Sequence, residues 1–215
     1  MVANRLELVI FDNDGVLVDS EWHANGILAA LLTECGLPCT RERSIADYLG
    51  TTLASVRERV EQALGRALPA DFEDRYHAQL FDVFRTELAA VPGVAAALDR
   101  IEMPTCVASS GTHERIRLAL TSTGLYGRFD GRIFSAQDVE RGKPEPDLFL
   151  HAARTLGIRP ERCAVIEDSP MGVEAANRAG MTAFGFARLT PSAKLQAAKG
   201  GVFTAMDELP ALLRG

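Results

Sequence analysis

LELVIFDNDGVLVDSE, residues 6–21, decides how this chain is read. It opens on an apolar run, Leu6–Phe11, of the length of a buried strand. The run stops at Asp12 and Asp14, two residues apart, with Gly15 behind them. The end of a buried strand is a costly place for two like charges. Either they belong to a solvated turn or a ligand uses them.

The same form recurs along the chain. TCVASSG (105–111) and CAVIEDS (163–169) are apolar runs that end in Ser, Gly or Asp. MTAFGF (181–186) is a fourth candidate strand and GVFTAM (201–206) a weaker fifth. Helical patterns lie between them. HERIRLALTSTG (113–124) stops at Gly124, and EPDLFLHAARTLG (145–157) starts at Pro146 and stops at Gly157. SPMGVEAANRAG (169–180) has a Ser cap, Pro at the first helical position and a Gly stop. Strands alternating with helices predict an α/β protein with a doubly wound parallel sheet. From about residue 20 to residue 90 the strand signal vanishes and only helical stretches remain, which predicts an all-helical insert after the first strand. Pro92–Gly93 marks the return. The expected division is residues 1–16 with 92–215 as the α/β core, and 17–91 as the helical domain.

Length and composition fit this organisation. The 215 residues suffice for one large domain or one domain with a smaller insert, and 47% hydrophobic content supplies an ordinary core. A net charge of -6 argues against a general nucleic-acid or anionic-membrane binder. An anionic ligand must therefore be met locally, by a metal, a lysine or backbone N–H groups. Cys35, Cys39, Cys106 and Cys163 lack the histidine pair of a zinc pattern and read as reduced thiols. The N-terminal stretch is too short and too charged for a signal peptide, and no apolar run reaches the roughly 18 residues of a membrane span. A cytoplasmic, soluble protein is expected.

In an open parallel sheet, ligands bind at the carboxyl ends of the strands. Asp12, Asn13, Asp14 and Gly15 follow one run; Ser109, Ser110 and Gly111 follow another; Glu167, Asp168 and Ser169 follow a third. Lys143 stands in GKPEPD, a loop stiffened by two prolines. Four carboxylates at one edge raise one another's pKa unless a divalent ion joins them, and magnesium takes oxygen ligands of this kind. The small residues before a helix N-terminus suit an anion, and Lys143 can add a point charge. The sum is a phosphoryl-transfer site. Each piece has a plainer reading: turn aspartates, a helix cap, a solvated lysine, acids favoured by a helix dipole. That account has to hold separately at every one of these positions.

These segments resemble the four motifs of the haloacid dehalogenase superfamily of phosphohydrolases. FDNDGVLVDSE resembles the first, VASSG the second, GKPEPDLF the third and VIEDSPMGVEAA the fourth, in the family's order. The resemblance implies a Rossmann-like core with a small helical cap inserted after the first strand. It further implies Asp12 as nucleophile forming an aspartyl-phosphate and Asp14 as general acid/base. Mg2+ is implied on Asp12, the Asp14 carbonyl and Asp168, with Glu167 adjacent. Ser109 and Lys143 are implied to hold phosphate with help from the N–H groups of Asn13 and Ser110. The aspartate at position 14 separates this pattern from the dehalogenases of the superfamily, which lack it.

Within the superfamily the motifs look most like those of sugar-phosphate phosphatases, 6-phosphogluconate phosphatases among them, and of β-phosphoglucomutases. The resemblance to the mutases implies an arginine in the cap where this chain has Leu53. Arg57 and Arg59 are expected on the exposed face of a helix. The reading is thus a hydrolase of a small sugar or sugar-acid phosphate, with a mutase as the alternative and a non-catalytic phosphate-binding module behind it. The partner expected is a small phosphorylated metabolite, with no nucleic acid and no membrane, and the state a monomer or weak homo-oligomer. Candidate substrate contacts in the insert are Glu21, His23, Thr51, Thr52 and Arg75. His23 equally suits a helix start, and Thr51 and Thr52 an N-cap. Arg75, Tyr76 and His77 cannot all face inward from one helix.

Overall fold

The computed structural model describes residues 5–214. They form two compact units: one runs to Val18 and resumes at Ala89, and the other is Asp19–Leu88. The first unit starts with β1 (Leu8–Phe11), whose four residues have no exposed surface. A strand covered on both faces needs a continuous apolar run rather than alternation, which is what LVIF supplies.

The second unit is all-helical: α1 (Ser20–Glu34), α2 (Arg41–Tyr48), α3 (Leu53–Leu64) and α4 (Phe72–Thr86). α1 packs against α2 and α4. Its buried face carries Ala24, Ile27, Leu28, Leu31 and Leu32, the spacing of one helical stripe. Thr40 caps α2 and Thr52 caps α3 through their side-chain oxygens. A buried hydrogen bond of 2.9 Å from Ser44 Oγ to Asn25 Oδ1 joins α2 to α1. The chain leaves and regains the first unit side by side. Val18 and Ala90 form an antiparallel bridge, and Val91 N–H donates to the Leu17 carbonyl at 2.9 Å.

After re-entry come α5 (Val94–Arg100), β2 (Thr105–Ser109), α6 (His113–Ser122), β3 (Ile133–Ser135), α7 (Asp147–Thr155), β4 (Cys163–Glu167), α8 (Pro170–Arg178), β5 (Thr182–Phe186), β6 (Val202–Phe203) and α9 (Leu209–Leu212). The six strands form one parallel sheet in the order β3-β2-β1-β4-β5-β6. The sequence offered five strands; the sixth, β3, has three residues, too few to show any periodicity. The helix expected from Pro146 begins one residue later, with Pro146 in the cap position. Helices α7 and α8 bury small and apolar side chains (Leu148, Phe149, Ala152, Val173, Ala176) in one cluster with Ile10, Cys106 and Val165 of the sheet.

The order fixes where a ligand can bind. From β1 the chain builds outward through β2 and β3, then returns to the other side of β1 to lay down β4, β5 and β6. The reversal lies between β1 and β4, where Phe11 registers with Ile166. Connections there depart in opposite directions and leave a crevice beyond the carboxyl ends. The residues that follow are Asp12 from β1 and Asp168 from β4, with Glu167 ending β4. No helix among the described residues is long and apolar enough to cross a membrane. All four cysteines are free thiols, and burial pushes the Cys163 thiol up to about 12.

Candidate active site

The turn after β1 is set by backbone bonds. Leu17 N–H and Val18 N–H both donate to the Asn13 carbonyl, at 2.9 and 3.1 Å, and Gly15 N–H donates to Val18 at 2.9 Å. Gly15 has φ 79°, a conformation a side chain at this tight turn would strain. Asp12 N–H donates to Ile166 O at 3.0 Å, so Asp12 still belongs to the β1–β4 ladder. Its carboxylate therefore starts from rigid backbone.

Lys143 meets it there. Its Nζ donates to Asp12 Oδ1 at 2.7 Å, Glu167 Oε1 at 2.6 Å and the Ala108 carbonyl at 3.0 Å. Three ammonium donors thus face three protein oxygens, with the charge also 4.8 Å from the centre of the Phe149 ring. The side chain is 4% exposed, which disposes of the solvated-lysine reading. Burial disfavours the ammonium, yet Asp12 and Glu167 outweigh it and raise the Lys143 pKa above its ordinary value. Asp12 is pushed up to about 7, mainly by burial and further by Glu167 and Asp14, with Lys143 opposing.

Glu167 is 1% exposed and almost fully engaged. Oε1 takes the lysine, and Oε2 accepts from Ser169 N–H at 3.2 Å and Ser169 Oγ at 2.9 Å. Ser169 Oγ also accepts from Gly172 N–H at 3.0 Å and so caps α8. Gly172 supplies space for this arrangement. A Cβ built there would lie 1.8 Å from Glu167 Cδ and 1.9 Å from Oε1. The carboxylate occupies the volume that any other residue's side chain would fill.

Asp12, Glu167 and Asp168 present oxygens within 4.8 Å of one another, all three buried. Hard carboxylate oxygens at this spacing fit a divalent cation such as magnesium. Asp14 points elsewhere. Its Oδ1 accepts from Arg115 Nη2 at 2.7 Å, and its Oδ2 has Asn13 Nδ2 at 3.4 Å.

The β2–α6 turn forms the next wall. Ser109 is buried, and its Oγ accepts from Gly111 N–H at 3.1 Å, while Ser110 is exposed. The Gly111 carbonyl accepts from Ser135 Oγ at 2.6 Å, so β3 holds the turn in place. Thr112 caps α6 through Arg115 N–H.

The structure thus brings Asp12, Lys143, Glu167 and Asp168 into direct contact or metal-binding range, and sets Asp14 beside Asn13. The five candidates of the insert lie in the helical unit: Glu21 and His23 on α1, Thr51 and Thr52 at the start of α3, and Arg75 on α4. Glu21 Oε2 accepts from Asn25 at 3.2 Å, and His23 sits in the first turn of α1. Thr51 Oγ donates to Tyr48 O at 2.7 Å, and Thr52 is the α3 cap. Arg75 pairs with Glu34 at 2.5 Å. The expectation that Arg57 lies on an exposed helix face is corrected. It is half-buried, bonded to Glu73 at 2.9 Å and Glu61 at 3.2 Å, because α4 packs its acidic first turn beside α3. Arg59 is exposed and donates to the Asp47 carbonyl at 2.8 Å.

Sequence reasoning missed Arg115, Ser135 and Gly172. Arg115 alone carried a signal: a cation in the first turn of a helix opposes the dipole and calls for an anion nearby.

The chain is similar to known proteins. The profile of the haloacid dehalogenase-like hydrolases matches residues 6–180. The 6-phosphogluconate phosphatase of Escherichia coli K12 is 30% identical over 210 residues, covering 97% of this chain and 95% of that protein. A haloacid dehalogenase-like protein of unknown function from Agrobacterium tumefaciens C58 superposes with TM-score 0.92 at 35% identity, over 97% of this chain and 98% of that one. A hydrolase of the same family from Deinococcus radiodurans R1, crystallised with phosphate and sodium, gives TM-score 0.81 at 30% identity over 97% and 98% of the two chains.

Proposed function

We propose, from the premise that this chain belongs to the haloacid dehalogenase-like hydrolase family, that it is a magnesium-dependent phosphatase. Its substrate is a small sugar or sugar-acid phosphate, cleaved through an aspartyl-phosphate. The observation that carries the reading is the cluster of three buried carboxylates, Asp12, Glu167 and Asp168, whose oxygens lie within 4.8 Å of one another, with the Lys143 ammonium on Asp12 and Glu167. Hard carboxylate oxygens gathered this closely favour a divalent cation among them. Asp12, Asp168 and the Asp14 carbonyl would hold magnesium with Glu167 beside it, and the ion would supply positive charge to the phosphate oxygens.

The chain's own groups account for the rest. Lys143 fixes Oδ1 of Asp12 and so sets the rotation of the carboxylate. An Asp12 oxygen attacks phosphorus, and the bond from phosphorus to the leaving oxygen breaks. Asp14 gives that oxygen its proton, so an alcohol departs and an acyl phosphate remains on Asp12. Asp14 then takes a proton from water as its oxygen attacks phosphorus, which frees phosphate and restores both carboxyl groups. Ser109 and the N–H groups of Asn13 and Ser110 line the phosphate's path as donors.

The test is phosphate release from p-nitrophenyl phosphate and a panel of sugar and sugar-acid phosphates. 6-Phosphogluconate belongs in that panel because the Escherichia coli relative is named for it. Release that needs magnesium and vanishes in Asp12→Asn supports the reading; no release at neutral pH with magnesium defeats it. Against a mutase stands the absence of an arginine at Leu53, together with the engagement of Arg57 and Arg59 by groups of their own unit. Conversion of β-glucose 1-phosphate to glucose 6-phosphate with a bisphosphate primer, without net phosphate release, would reverse that ranking.

A further inference from the structure

We infer that Arg115 is a positioning residue that holds the Asp14 carboxyl in the orientation proton transfer needs; this rests on the phosphatase reading. Asp14 and Arg115 are 101 residues apart, yet Nη2 reaches Oδ1 at 2.7 Å. Everything beneath Arg115 is anchored. Its N–H donates to the Thr112 cap at 3.2 Å, and its neighbour Ile116 has no exposed surface. Its side chain crosses Gly111, where a Cβ would lie 3.5 Å both from Arg115 Cδ and from Ser109 Oγ. The arginine therefore runs past the turn that carries Ser109 and ends on Asp14.

The backbone around Asp14 does not need this contact. Three hydrogen bonds among residues 13–18 already close the turn, and the 2.7 Å bond from the arginine goes to the Asp14 side chain. What it restricts is rotation of the carboxyl group. With Oδ1 held by Arg115 and Oδ2 facing Asn13 at 3.4 Å, the group has one preferred plane. A proton donor must lie within hydrogen-bond reach of the departing oxygen, and a small misplacement costs rate. The pair's side chains are 23% and 15% exposed, so removing the arginine also costs stability, and a ratio between two substrates is the readout that a loss of folding does not move.

Leaving groups that need a proton expose this role. An alkoxide needs one; p-nitrophenolate does not. The value of kcat/KM covers only the steps through formation of the phosphoenzyme, so it excludes the later hydrolysis in which Asp14 acts as base. Arg115→Met and Arg115→Lys are compared with wild type on a sugar phosphate and on p-nitrophenyl phosphate, with magnesium. In Arg115→Met the ratio of the two kcat/KM values falls about 10- to 100-fold, a part of the usual worth of a general acid. Arg115→Lys recovers a portion of it. An unchanged ratio overturns the inference, whether both substrates lose equally or neither loses. A loss in KM alone overturns it too, since that assigns the arginine to substrate binding. A wild type that releases phosphate from neither substrate overturns the phosphatase reading itself, before any variant is compared.

Discussion

Gly172→Ala is a one-carbon change in a helix, where alanine is ordinarily favoured by about 1 kcal/mol. Here it is expected to be severely destabilising. The added carbon would lie 1.8 Å from Glu167 Cδ, against an ordinary contact of about 3.5–4.0 Å, so the carboxylate must retreat by roughly 2 Å. That motion breaks the 2.6 Å bond to Lys143 and the 2.9 Å bond to Ser169 Oγ. Disrupting a buried charge pair costs about 3–5 kcal/mol. With the gain in helix propensity set against it, the net loss is about 2–4 kcal/mol. For a chain of this size that lowers Tm by roughly 5–15 °C. Far-UV circular dichroism is the suitable probe, because the only tryptophan, Trp22, lies in the helical unit. The decisive control is Glu167→Ala. In that background no carboxylate occupies the space, so Gly172→Ala is expected to be neutral or stabilising by up to about 1 kcal/mol. An equal cost in both backgrounds, or no cost in the wild type, refutes the steric reasoning.

Two further outcomes follow from the charge arrangement. With Asp12 raised to about 7 from an unfolded value near 3.9, the folded metal-free protein binds a proton more tightly than the unfolded chain between those values. Its stability contribution is present below about pH 4 and lost as pH rises through about 7; the thermal shift caused by magnesium over EDTA is therefore larger at pH 8 than at pH 6, and a larger shift at pH 6 contradicts the assignment. Lys143→Met strands Asp12 and Glu167 without their cation, which is expected to cost about 3–5 kcal/mol by denaturant unfolding in EDTA. Excess magnesium should recover much of that loss, and equal losses with and without the metal would speak against shared charge balance.

The sequence disclosed the parts of this molecule that local chemistry dictates. LVIF reads as a buried strand, and it lies within the parallel sheet. The acids behind it stand at the carboxyl end of that strand, where the sequence left a solvated turn or a ligand as the choice. What stayed hidden depends on distance along the chain. β3 is too short to show a period. Lys143 was visible as a charge, but its burial follows from a loop folding back across 131 residues to Asp12. Arg115 reaches Asp14 only because the fold brings α6 back across 101 residues. Gly172 takes its meaning from the Glu167 carboxylate, which occupies the place of its missing side chain and is not visible from the local sequence.

The bridge between Val18 and Ala90 has an architectural consequence. Directly opposed residues of an antiparallel pair stand about 4.5–5.5 Å apart at their Cα atoms, a gap a two-residue turn such as Asn-Gly closes. Everything from Asp19 to Leu88 therefore enters and leaves through a single doorway. Lengthening or replacing it changes loop-closure entropy only logarithmically and leaves the strand order of the first unit untouched. The helical unit is in this sense a graft: it can be excised, exchanged or redesigned while the carboxylates of the first unit keep their scaffold.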